Sequence, residues 1–175
     1  MDFCCALYPE KEETHMAYTT TDLVAGIRAT RIFFWKHLEG VKDDQWDWKP
    51  YSECKSLRET LAHLLVDDRA ALYALETGKE PDYEAFSGAE QERDLDILRA
   101  QLAESHDKVC AYLMEHYGSL PIETEACIYG EKMPLARGLG LISWEDAYHA
   151  GQVAFIRMAS DPTWNYYADI YGFTG

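Results

Sequence analysis

Four segments of this chain repeat apolar residues at helical spacing, and each is cut off by glycine or proline. The first opens near Thr21 and Asp22, residue types suited to capping, and runs through Leu23, Ile27, Phe34 and Leu38 to Gly40. The second opens at Ser56 with Glu59 three residues on, a spacing at which each side chain can take the other's free backbone N–H. It continues through Leu57, Leu61, Leu64, Leu72 and Leu75 to Gly78, and Pro81 forbids more. The third runs from near Gln91 through Leu95, Leu98, Leu102, Val109 and Leu113 to Gly118. The fourth starts between Pro134 and Ser143, its beginning blurred by Gly138 and Gly140, and ends near Ser160 ahead of Asp161-Pro162. Strand periodicity is weak everywhere. Four helices with such connections predict an all-α chain, residues 1–175 forming a single four-helix-bundle domain with its core over about 17–160.

Two stretches outside the helices need partners. The connection Asp43-Asp44-Gln45-Trp46-Asp47-Trp48-Lys49-Pro50 is too long for a tight turn, and its indoles must pack somewhere. The tail after Pro162, with Trp164, Tyr166, Tyr167, Ile170, Tyr171 and Phe173, predicts a short C-terminal extension laid over the bundle. The second helix carries its leucines on one side and Ala62, His63, Val66, Ala70 and Tyr73 nearly opposite, so it must be covered twice. One face is expected to meet the core and the other a second copy, which predicts a homodimer.

Charge and cysteine usage narrow the partners. Asp and Glu total 31 against 16 Lys and Arg, a net charge of -15 that repels a polyphosphate backbone, so no nucleic acid is expected. No apolar run approaches the roughly 20 residues of a membrane span, so no membrane partner is expected. Met1 to Glu13 lack both a basic start and a long apolar middle, which predicts a cytoplasmic protein. The cysteines, Cys4, Cys5, Cys54, Cys110 and Cys127, are odd in number and lack paired spacing, which argues against a disulfide framework.

Chemistry concentrates on the second and fourth helices. In the fourth, Leu141, Ile142, Tyr148, Val153, Ile156 and Ala159 form a stripe, and Glu145 and His149 fall within it one turn apart. An unpaired charge buried there costs several kcal/mol, roughly, so the carboxylate must be neutralised, partnered or bound to a cation. With His63 on the leucine-rich helix, the three residues either ligate a divalent metal ion or form a buried hydrogen-bonded cluster. Two imidazoles and one carboxylate leave coordination positions open, as catalytic centres do, and suit zinc, nickel, iron or manganese alike. Asp67, one turn beyond His63, either orients a ligand imidazole or is solvated, and Glu59 is accounted for by its capping role. His15, His37, His106 and His116 are expected at solvated positions, and Cys110 and Cys127 as small buried apolar groups. Tyr73, Trp144 and Tyr148 are candidate pocket or interface aromatics.

Three motifs carry a family resemblance: Trp48-Lys49-Pro50, Leu61-Ala62-His63-Leu64-Leu65, and His149-Ala150-Gly151-Gln152 followed by Ile156-Arg157. With them the chain resembles the DinB-like superfamily of bacterial four-helix bundles, from the first helix to Ser160. The resemblance implies an up-down-down-up bundle, commonly homodimeric, whose divalent metal is held by one histidine of the second helix and a His-x-x-x-His pair of the last. His63 and His149 match two of these ligands, whereas Glu145 stands where the pattern has histidine. The superfamily is similar to enzymes that transfer low-molecular-weight thiols, to a thiol-dependent isomerase of maleylpyruvate, and to presumed hydrolases. A metal-dependent enzyme acting on a small-molecule substrate, with a low-molecular-weight thiol as partner, is therefore the first functional expectation. The alternative is a non-catalytic, stress-related dimer that binds a ligand or metal without turnover.

Overall fold

The computed structural model describes residues 18–88 and 94–173. In chain order it runs α1 (Thr20–His37), a 3-10 turn (Asp43–Gln45), α2 (Leu57–Thr77), α3 (Tyr83–Phe86), α4 (Leu95–Tyr117), β1 (Glu125–Ile128), β2 (Glu131–Pro134), α5 (Leu135–Ser160) and α6 (Tyr166–Tyr171). The chain is mostly helical.

The helix ends follow local chemistry. At α2 the anticipated box closes: the Glu59 N–H donates to Ser56 Oγ at 3.2 Å and the Ser56 N–H to Glu59 Oε2 at 2.9 Å. Gly78 ends the helix at φ 66, a left-handed conformation that costs glycine little. At α1 the cap is Thr19, two residues before Thr21, and Asp22 completes the box by accepting the Thr19 N–H at 2.9 Å. α4 begins under Asp94, whose carboxylate accepts from the N–H groups of Asp96 and Ile97, while the start anticipated at Gln91 lies outside the described residues.

The four long helices share one interior. α1 packs chiefly on α5 and α2 on α4. Side-chain bonds mark the registers: Arg31 to Asp146 and Arg157 to the His37 carbonyl join α1 to α5, while Ser105 to Asp68 and the Tyr112 hydroxyl to the Leu75 carbonyl join α4 to α2. Arg28 meets Asp107 between α1 and α4. Phe34, Leu57, Leu61, Leu64 and Leu98 fill one end of the core, and Ile27, Val109, Leu113, Leu135 and Leu139 the other. Trp46 is buried beneath the Arg99 guanidinium, 4.7 Å from the ring centroid, which answers where the aromatic connection packs. α6 buries Ile170, whose carbonyl accepts from Lys36 of α1.

One expectation is corrected. An antiparallel hairpin, β1 with β2, precedes α5 where the sequence shows only weak strand periodicity. Each strand has four residues, too few to repeat an alternation. Its turn is Tyr129-Gly130, both at positive φ (52 and 90), the backbone that two-residue hairpins favour. The hairpin seats Ile128 against Gly138, where an added Cβ would fall 2.0 Å from Ile128 Cδ1. The glycine that blurs the start of α5 is what lets the hairpin lie on it. On the second apolar face of α2, Ala62, Val66 and Ala70 are buried within the single chain, while His63 and Tyr73 are half-buried. No helix among the described residues is long and apolar enough to cross a membrane.

Candidate metal centre

α2 and α5 bring His63, Glu145 and His149 together. One donor atom from each lies within 4.8 Å of the others, a spacing that a single cation can bridge. His149 is 3% exposed. Its Nδ1–H donates to Gln152 Oε1 at 2.7 Å, one helical turn on, and this fixes the tautomer with a lone pair on Nε2. That Nε2 is buried without a hydrogen-bond partner and points toward Glu145, 3.6 Å from Oε2. The His63 and His149 rings meet nearly edge to face, their centroids 4.9 Å apart. Burial pushes both imidazoles below their ordinary range, which favours the neutral form that a metal ion requires.

Carboxylates supply the countercharge a cation would need. Asp67 Oδ2 lies 3.2 Å from His63 Nε2, and its carboxyl is pushed up to about 7 by burial first and then by Glu145 and Asp68. It faces the site and is not the solvated group its sequence context also allowed. Glu145 departs from expectation in the opposite sense, with its side chain 43% exposed at the rim. The carboxylate that α5 buries is instead its neighbour Asp146, 1% exposed. A cavity of about 560 Å³ opens over the trio, walled by Tyr51, Glu53, Cys54, Lys55, Tyr148 and Gln152. A second of about 290 Å³, between Lys49 and Glu59, shares Glu53, Cys54 and Lys55 with it. Glu59 itself is held by Lys49 at 2.6 Å and by its capping bond, away from the trio.

Residues 27–153 match the profile of the DinB superfamily, most of the chain including α2 and the part of α5 that carries Glu145 and His149. The chain belongs to the DinB superfamily. The fold of this DinB-superfamily chain is similar to the crystal structure of the mycothiol-dependent maleylpyruvate isomerase, with a TM-score of 0.60 at 16% identity over 78% of this chain and 61% of that one. A histidine-to-alanine mutant of the isomerase gives the same TM-score and coverage at 14% identity. The chain thus spans about three fifths of the isomerase, and the likeness concerns the fold. No curated protein sequence matches it.

Behind the centre, the DinB-superfamily chain hides a polar cluster that sequence reasoning missed. Arg31 of α1, about 5% exposed, donates Nε to Asp146 Oδ1 at 2.8 Å and its two terminal nitrogens to the Asp68 oxygens at 3.1 Å each. Ser105 donates to Asp68 at 3.0 Å, and His106 Nδ1 stands 3.9 Å away. Burial disfavours the Asp68 charge, but His106 and Arg31 outweigh it and hold the carboxyl below its ordinary range. Asp146, with fewer partners, is pushed up to about 6 by burial. His106 and His37 are therefore core residues and not the solvated ones expected, His116 is exposed as expected, and His15 lies outside the described residues. The available signal was the doubled acid: Asp67-Asp68 and Glu145-Asp146 each put two carboxylates about 100° apart on a helix that is otherwise largely apolar, where one of the pair is drawn toward a buried partner.

Proposed function

We propose that this chain is a metal-dependent enzyme acting on a small molecule, of the thiol-transfer or hydrolytic type, with His63, Glu145 and His149 as ligands of a divalent ion. The observation that carries this reading is the His149 Nε2, buried without a partner and turned toward two further donors. A buried polar atom left unsatisfied costs about 1–3 kcal/mol, and a cation removes that cost. When bound, the ion supplies Lewis acidity that lowers the pKa of a coordinated thiol or water to near neutrality. Gln152 orients His149, Asp67 orients His63, and the cavity beside Tyr51, Lys55 and Tyr148 receives the electrophile. The donor set suits zinc, nickel, iron or manganese. The mycothiol dependence of the isomerase that shares the fold supports a low-molecular-weight thiol as the nucleophile here.

The same reading takes the long helices as an up-down-down-up bundle. Residue numbers rise together along α1 and α5 and along α2 and α4, and run oppositely between α1 and α4 and between α2 and α5. It also takes the chain as a homodimer, with the exposed apolar line of Trp144, Tyr148, Phe155 and Met158 on α5 as the interface in place of the α2 face expected from the sequence.

The test is metal analysis of protein purified without a histidine tag, followed by incubation with cellular thiols and an electrophilic acceptor. About one ion per chain, lost in His149→Ala together with transfer or hydrolysis, is the expected result. Well under one ion per chain, with His149→Ala unchanged in thermal stability and activity, overturns the proposal.

A further inference from the structure

The buried cluster and the candidate centre use neighbouring residues of the same two helices. On α2, Asp67 faces His63 and the next residue, Asp68, faces Arg31; on α5, Glu145 belongs to the centre and the next residue, Asp146, faces Arg31. Asp146 lies three residues before His149, and Asp68 five after His63. A single guanidinium from α1 thus grips α2 and α5 within about two turns of the donors. Its three nitrogens are all engaged, two on Asp68 and one on Asp146.

Such a grip sets charge opposite charge. Across the α2–α5 seam two acidic side chains border the donors, Asp67 3.2 Å from His63 and Glu145 3.6 Å from His149. Arg31 supplies the positive charge on the far side of the seam, 5% exposed, where solvent screens it little. A lysine would keep the charge but could not bind both carboxylates in a planar fork.

We propose that Arg31 is a positioning residue of the metal centre: by binding Asp68 and Asp146 together it holds the His63 and the Glu145–His149 donors at cation-binding separation before any ion arrives. The inference rests on the metal reading above and concerns how the site is preorganised. The same acidic pair and arginine could serve stability alone, and the experiment separates these roles.

Zn2+ affinity by chelator competition and the visible spectrum of the Co2+-substituted protein are measured for the parent, Arg31→Lys and Arg31→Gln, beside their thermal stability. Positioning predicts affinity weaker by about 10- to 100-fold in Arg31→Gln, a smaller loss in Arg31→Lys, and an altered Co2+ spectrum in both. Equal affinity and an unchanged spectrum in variants that are merely less stable overturn the positioning role while leaving the metal reading intact. A parent that binds neither ion overturns both. Should Arg31→Gln fail to fold, Asp68→Asn keeps the shape and one acceptor, and the same two readouts decide.

Discussion

The Nδ1–H of His149 donates to the Gln152 side-chain oxygen across 2.7 Å, and that one bond decides which nitrogen of the ring faces the cavity. Gln152→Ala frees the ring to rotate and to exchange tautomers. Divalent-ion affinity should fall about 10- to 100-fold with little change in stability, since Gln152 is only half-buried. Titration calorimetry with Zn2+ measures it, and undiminished affinity would show that the bond does not orient the ring.

Asp67 makes the ion-free protein sensitive to pH. Its carboxyl is raised to about 7 from an ordinary 3.8, chiefly by burial, so the stability its proton confers is complete below the ordinary value and is lost as pH rises through about 7. Asp67→Asn cannot ionise. In the absence of divalent ions it should exceed the parent by roughly 1 kcal/mol or more near pH 8, with the gap narrower near about pH 5 and closing only toward the ordinary carboxylate value. Urea unfolding at the two pH values provides the comparison; a variant less stable than the parent near pH 8 would refute the assignment.

Gly138 is a packing requirement. Alanine there would set its Cβ 2.0 Å from Ile128 Cδ1, inside a core where Ile128 is fully buried. Gly138→Ala should cost about 1–3 kcal/mol by overpacking. Because the clash is with one side chain, adding Ile128→Ala should return part of that cost, and strict additivity in the double-mutant cycle would place the conflict elsewhere.

Cysteine reactivity should divide by burial. Cys110 is fully buried and its thiol is pushed up to about 11, chiefly by burial, and Cys127 is also buried. Cys54 is half-buried on the wall shared by the two cavities. Iodoacetamide on the native chain, read by peptide mass mapping, should label Cys54 and spare the other two until the protein is unfolded. Native labelling of Cys110 at the rate of Cys54 would contradict the packing described.

The helices were legible because their signals are local: the Ser56–Glu59 box, Gly78, and leucines at helical spacing each act within a few residues. His63 and His149 were legible because a polar ring on an apolar face demands a partner. The hairpin was not, since its strands are four residues long and its place is set by Ile128 meeting Gly138, a contact between chain positions that no window joins. The burial of Asp146 in place of Glu145 escaped for a related reason. A helix turns about 100° per residue, so the inward member of an acidic pair is chosen by what waits opposite, here Arg31, 115 positions away.

That doubled-acid arrangement ties the rim of the centre to the charge balance of the interior. A one-residue slip of α5 would carry Glu145 toward Arg31 and swing Asp146 off toward another flank, so sliding the helix cannot change what stands at the rim without breaking the Arg31–Asp146 bond. Only an exchange in place at 145 leaves that interior bond whole.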